Sequence, residues 1–229
     1  AGGDYATIKA AHDDLAAWGD GTDVIEVLSG VHTVSVTAPG STWINFNPKD
    51  SGSLTIRPEG DFHPVLALTA GTAAPDLPPE FVFLVGLANG TLTVEGLTFI
   101  GADGKDAATN GAASVFRVLA RDDGSDVNLV VRDCVLTHNK GANVPEFDFT
   151  QSHAGGTGNV NQFLRNQDAV HANAVLDVSI EDSILAYCRS DDGFIWMIGN
   201  GTSADTERLT LRHTAVINPT DEGLLWQNM

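Results

Sequence analysis

Four segments of the chain follow one pattern, and that repetition limits its possible folds more than any other feature. Leu92-Thr-Val-Glu-Gly-Leu-Thr-Phe99 is answered by Leu129-Val-Val-Arg-Asp-Cys-Val-Leu136, Val178-Ser-Ile-Glu-Asp-Ser-Ile-Leu185 and Leu209-Thr-Leu-Arg-His-Thr-Ala-Val216. Each copy has a large apolar residue at its first, third and last positions. A charged residue, Glu95, Arg132, Glu181 or Arg212, follows the third. Two short strands joined by a tight polar bend read this way, with alternate side chains turned inward. The copies start 37, 49 and 31 residues apart. Repeats of about this length belong to stacked solenoids, in which each unit buries its apolar face against the next.

Composition fits that architecture. Of 229 residues, 42% are hydrophobic, enough for a core, and the 24 glycines suit many short strands divided by turns. The repeat runs through most of the chain, so residues 1–229 read as a single domain. The formal net charge is −18, which repels phosphate backbones and argues against nucleic acid as a partner. Apolar runs stay short of the ~18 residues of a membrane span, so no membrane partner is expected. Cys134 falls in the same repeat column as Ser183, and Cys188 lies beyond the last aligned position, so both read as small buried residues. The N-terminal Ala1-Gly-Gly-Asp-Tyr5 has no basic or apolar leader, and either Met removal or signal cleavage accounts for it.

Residues 4–18 form the one clear helical pattern. Ile8, Ala11, Leu15 and Trp18 share a face, Asp4 or Thr7 can cap the start, and Gly19 can end it. A helix in this place is expected to cover the first open end of a solenoid. Short strands follow at Val24–Leu28, Val31–Val36, Trp43–Phe46, Leu54–Ile56 and Val65–Leu68. The prolines at 75, 78 and 79 predict an external loop over 70–80. A second series, Phe81–Val85, Val115–Leu119, Phe194–Ile198 and Leu224–Trp226, accompanies the first. Its first three members precede the motif copies at 92, 129 and 209. The copy at 178 shows no companion. The predicted unit is therefore three strands per coil, with the chain stopping after the first strand of its last coil.

Gly3-Asp-Tyr-Ala-Thr-Ile-Lys-Ala-Ala11, Val24-Ile-Glu-Val-Leu-Ser-Gly-Val-His32 and the "LTIRP" and "LTVEGLTF" segments resemble the right-handed parallel β-helix of the pectin-lyase-like superfamily. The resemblance covers nearly the whole chain. It implies an all-β solenoid with an N-terminal capping α-helix. It leaves function open, because that architecture hosts lyases, hydrolases, esterases, epimerases, tailspikes and structural virion proteins.

Residues 138–175 form the longest irregular stretch and are expected to make a lateral loop, where specific contacts commonly sit. Phe147 and Phe149 within it are candidates for docking onto a partner or packing on the loop's own scaffold. For chemistry, Gln167, Asp168, Asp191 and Asp192 are the candidate catalytic residues, since carboxylates from adjacent coils could divide acid and nucleophile roles. Gln167-Asp168-Ala-Val and Asp192-Gly-Phe-Ile-Trp are similar to segments of pectin methylesterases, which implies Asp168 as acid and Asp192 as nucleophile. The chain departs from that family in lacking a Gln near Ala113–Arg117 and an Arg-x-Trp after Asp192; Trp226 follows Leu224-Leu225 instead. A lyase would need Ca2+-binding aspartates beside a basic residue. Arg132-Asp133, Arg165 with Asp168, and Arg189 with Asp191 supply those types. The seven histidines are scattered without HxH or HExxH spacing, so no transition-metal site is expected. Gly155-Gly-Thr-Gly158 lacks the strand–loop–helix setting of a phosphate site.

An apolar strand at Leu224, Leu225 and Trp226 would expose ladder groups and a hydrophobic layer, which invites association. With the small size and the acidity, this makes the leading expectation an assembly protein that binds other protein subunits, as a homo-oligomer, on capsid proteins or both, without a cofactor. A capsid decoration (cement) protein on the virion of a tailed phage is its narrower form. The alternative is a secreted, polysaccharide-active esterase or lyase using Asp168 and Asp191 or Asp192, with Ca2+ required only for the lyase.

Overall fold

A computed structural model describes residues 4–15, 21–38, 41–46, 52–68, 81–86, 89–100, 114–119, 124–137, 162–166, 174–186, 195–199, 206–217 and 224–228. One short helix, α1 (Ile8–Asp14), precedes the strands. The first nine are β1 (Thr22–Val27), β2 (Val31–Val34), β3 (Thr42–Phe46), β4 (Gly52–Pro58), β5 (Val65–Leu68), β6 (Phe81–Gly86), β7 (Gly90–Glu95), β8 (Thr98–Ile100) and β9 (Ser114–Leu119). The others are β10 (Asp126–Arg132), β11 (Val135–Thr137), β12 (Gln162–Asn166), β13 (Val175–Glu181), β14 (Ile184–Ala186), β15 (Ile195–Gly199), β16 (Thr206–Arg212), β17 (Ala215–Ile217) and β18 (Leu224–Asn228).

These strands make three parallel sheets of six. The orders are β1-β4-β7-β10-β13-β16, β2-β5-β8-β11-β14-β17 and β3-β6-β9-β12-β15-β18, so successive strands visit the three sheets in rotation. Parallel neighbours need a crossover, and here the other two sheets provide it. The arrangement is all-β and compatible with a solenoid.

The repeat aligns as its spacing predicts. Leu54, Leu92, Leu129, Val178 and Leu209 are successive register partners in the first sheet, and Ile56, Val94, Val131, Ile180 and Leu211 form the column two residues on. In the second sheet Leu66, Phe99, Leu136, Leu185 and Val216 stand in register. The first four members of each column are at most 1% exposed. The third sheet adds aromatics to this core. Phe83 stacks on its register partner Phe116 with ring centroids 5.1 Å apart, and Trp43, Phe99 and Phe163 meet these two rings edge-on. Edge-to-face and offset contacts suit the aromatic quadrupole and add to the burial of apolar area.

Helix α1 is shorter than the sequence pattern suggests. Thr7, not Asp4, caps it, its hydroxyl accepting from the Ala10 N–H at 3.0 Å. The helix gives way at Leu15, and Trp18 and Gly19 lie outside the described residues. Ile8 and Ala11 are buried beside β1 and β3, with Leu15 packed partly against the same core.

Three sequence expectations change. The stretch 138–175 is not all loop, because β12 lies within it and pairs with β9 and β15. This strand is the companion that the copy at 178 lacked. Its phenylalanine and leucine are both buried, but their polar neighbours Gln162, Arg165 and Asn166 conceal the pattern. Finally, the rotation starts on the 92-type sheet with β1, so β18 is the third strand of a sixth set, not the first of a new one. The proline loop at 70–80 and Cys188 lie outside the described residues.

Candidate functional site

Among the described residues, the corner between the first and second sheets repeats regularly. From β7 onward it takes two residues: Gly96-Leu97, Asp133-Cys134, Asp182-Ser183 and His213-Thr214. The first of each pair adopts a left-handed backbone, with φ of 67°, 51°, 49° and 49° respectively. Glycine takes this conformation without cost, and Asp and His are among the side chains that tolerate it. At Gly96 a second constraint applies, since an added Cβ would fall 2.7 Å from Pro58 Cγ.

The second residue of each pair points inward and keeps the ladder intact. Ser183 Oγ donates to the Glu181 carbonyl at 2.7 Å and accepts from the Cys134 N–H at 3.2 Å. Thr214 Oγ1 donates to the Ile180 carbonyl at 3.0 Å. Cys134 is fully buried, and burial pushes its thiol up to about 12. A thiol so protonated is a poor nucleophile, which leaves it a packing role.

Outside the corner runs a column of alternating charge. Glu26 pairs with Arg57 at 2.8 Å; Glu95, Arg132, Glu181 and Arg212 continue it in register. Glu181 receives Arg212 at 2.5 Å and Arg132 at 3.8 Å. The Ser179 hydroxyl, donating at 2.8 Å, and then Arg212 hold the Glu181 carboxyl below its ordinary range. Neighbouring columns add Arg208–Asp177 at 2.8 Å and His213–Asp182 at 3.1 Å.

The two earlier connections at this corner are longer, three residues between β1 and β2 and six between β4 and β5. Between β4 and β5 the connection is Glu59–Pro64, and its Asp61, Phe62 and His63 wall a cleft of about 460 Å³ against Glu26, Arg57, Glu95 and Asp133. Phe62 is 58% exposed there. Among the described residues no group of three or more His, Cys, Asp or Glu side chains could hold a metal ion. No described helix is long and apolar enough to cross a membrane.

At β16 and β17 the apolar columns meet solvent. Leu211, Val216 and Ile217 are 42%, 37% and 43% exposed, whereas their register partners Ile180, Leu185 and Ala186 are 0%, 1% and 5% exposed. This face carries Arg208, Arg212 and His213 along its outer side, each bonded back to an acid on the coil before.

The structure brings few of the sequence candidates together. Leu224, Leu225 and Trp226 lie on β18, opposite Ile195, Trp196 and Met197 of β15. Phe147, Phe149, Gln167, Asp168, Asp191 and Asp192 lie outside the described residues, as does Arg189. Arg132 belongs to the charge column and Asp133 to the corner. Sequence reasoning missed the exposed face at Leu211, Val216 and Ile217, because Leu211 and Val216 match buried positions of the repeat and Ile217 lies one residue beyond its last position. It also missed the cleft, although Leu54-Thr-Ile-Arg57 carries the first four motif positions and could have exposed the extra residues after it.

The chain matches no family model, no curated protein and no solved structure.

Proposed function

We propose that the three sheets form one right-handed β-helix of the pectin-lyase-like kind and that the protein is an assembly component docking on other protein subunits. The rotation of strands through three parallel sheets supports the fold, and the strong right-handed preference of parallel crossovers supports its hand. The observation that carries the function is the face formed by Leu211, Val216 and Ile217, whose register partners are buried. Contiguous exposed apolar surface beside strand edges marks a protein contact. In its narrower form the proposal places the chain on the virion surface of a tailed phage, as a capsid decoration protein, with the acidic surface keeping it soluble until it docks.

The test is gradient sedimentation of the protein from its native source, followed by photocrosslinking from a probe at position 216. The chain is expected to travel with large particles and to crosslink from Val216→Cys but not from Val24→Cys, an exposed position on β1. Recovery only at the size of a single chain, without a discrete adduct from position 216, overturns the proposal.

A further inference from the structure

We infer that the cleft beside the Glu59–Pro64 connection receives an arginine side chain of a partner protein, its guanidinium laid on the Phe62 ring and bonded to carboxylates of the cleft. The inference rests on the assembly proposal for the partner's being a protein. It uses no residue of the β16–β17 face, so the two can fail separately.

The cleft is built by the ends of four successive strands of the first sheet. Glu26 comes from β1, Arg57 and Pro58 from β4, and Glu95 from β7, while Asp133 follows β10. At the equivalent corner positions Asp133, Asp182 and His213 carry side chains, whereas Gly96 leaves bare backbone in the lining. The connection after β4 supplies the other wall, and its Phe62 ring is 58% exposed.

The charges of the lining are unbalanced. It holds the carboxylates of Glu26, Asp61, Glu95 and Asp133, and the guanidinium of Arg57, which is bonded to Glu26 at 2.8 Å. Glu95 is the register partner of Arg132, but Arg132 reaches Glu181 instead. Asp61, Glu95 and Asp133 therefore have no cation bonded to them among the described residues, although Glu95 is half-buried. A carboxylate partly withdrawn from water is stabilised by an opposite charge. All six connections at this corner are described, and none carries a lysine or arginine to supply one.

The spacing of the acids selects the form of the cation. No group of three or more described His, Cys, Asp or Glu side chains lies close enough to hold a metal ion. Carboxylates set apart around an exposed ring suit an extended cation instead. A guanidinium is planar, stacks on aromatic faces and presents its N–H donors as a fork that can bond more than one carboxylate. It is also more weakly hydrated than an ammonium, so it leaves water more readily. Lysine has the charge but lacks the plane and the fork.

The test titrates the whole 15N-labelled chain with three acetylated, amidated tripeptides: Gly-Arg-Gly, Gly-Lys-Gly and Gly-citrulline-Gly, whose citrulline is the uncharged counterpart of arginine. Salt at about 150 mM screens the general attraction of an acidic protein for cations. The arginine peptide is expected to give saturable amide shifts centred on residues 60–63, 95–96 and 133, and to bind about two- to fivefold more tightly than the lysine peptide. The citrulline peptide should give no saturable shift. Phe62→Ala and Glu95→Gln, each checked for an unchanged urea midpoint, are expected to weaken the arginine peptide about two- to fivefold. If the lysine or citrulline peptide binds as tightly, if the shifts spread evenly over the acidic surface, or if Phe62→Ala changes nothing, the inference is overturned. Each of those results leaves the assembly proposal to its own sedimentation and crosslinking test.

Discussion

Arg212 Nη2 lies 2.5 Å from Glu181 Oε2, one strand further along the same sheet. The pair is the last described step of a column that alternates in sign over six strands. Isolated surface ion pairs contribute little, but a carboxylate held by two cations and a hydroxyl titrates differently from a solitary one.

That difference has a pH signature. Glu181 is held below its ordinary value of 4.5 by Ser179 first and Arg212 next, so its folded form binds a proton less readily than its unfolded form. Its contribution is fully present above pH 4.5 and is lost as the pH falls through the depressed folded value. Urea midpoints at pH 7, 5 and 3.5 are expected to drop at the acid end for the wild type. For Glu181→Gln that part of the drop should be absent; an identical pH profile would contradict the assignment.

His12 provides a second and separate window. Burial lowers its pKa, against the opposing pull of the neighbouring Asp13. A histidine with a depressed folded pKa stabilises the fold above its unfolded value near 6.5 and loses that contribution as the pH falls through the folded one. Hydrogen exchange in α1 is therefore expected to quicken on going from pH 7.5 to 5.5, after correction for intrinsic rates. His12→Gln should exchange with little dependence on pH.

The corner residues differ in what they tolerate. Gly96→Ala is expected to destabilise by about 2–3 kcal/mol, from the left-handed backbone and the approach to Pro58 together. Asp133→Gly, at a matching corner with φ 51°, relieves backbone strain and should leave stability within about 1 kcal/mol of wild type. Chemical denaturation of the two variants side by side reads the contrast, and equal losses would show that backbone conformation is not the cause.

The aromatic stack is the point where the core should be most sensitive. Phe83→Ala removes a fully buried ring in contact with Trp43, Phe99 and Phe116, at an expected cost of about 3–5 kcal/mol. A loss below about 1 kcal/mol in equilibrium unfolding would mean that the third sheet does not share the common core.

Cys134 is expected to resist iodoacetamide at pH 8 in the native protein and to react only on opening, because its thiol is buried and pushed up to about 12. Peptide mapping after labelling with and without urea checks this. Cys134→Ser should fold, since Ser183 and Thr214 occupy the same column in the next two coils.

The sequence made the register legible wherever the repeat kept its length. Leu92, Leu129, Val178 and Leu209 are spaced unevenly along the chain, yet their shared pattern places them in one column. One copy of the repeat, in β4, and one whole strand, β12, escaped for opposite reasons. In β4 the motif is present, but Glu59–Pro64 push its last apolar position out to Leu66. In β12 the spacing is right, but Gln162, Arg165 and Asn166 leave just two apolar residues to show it. The alternating charges were visible as four charged positions, while their extension to Glu26 and Arg57 needed the pairing of β1 with β4. Left-handed backbones at Asp133, Asp182 and His213 carry no composition signal, because the corner and not the residue type sets them. The candidate acids Asp168, Asp191 and Asp192 lie outside the described residues, so the corner and the β16–β17 face, not those acids, supply the site proposed here.

Parallel pairing in constant register also has a mechanical meaning. In the β-helix proposed above, the hydrogen bonds between the described strands would point along the stacking direction, and each coil would add one strand spacing of about 4.8 Å. A load applied along that direction puts these bonds in tension one coil at a time, whereas a load across it must shear many at once. A solenoid of that kind would be compliant lengthwise and stiff sideways, with the ion pairs of the charge column acting as ties between successive layers.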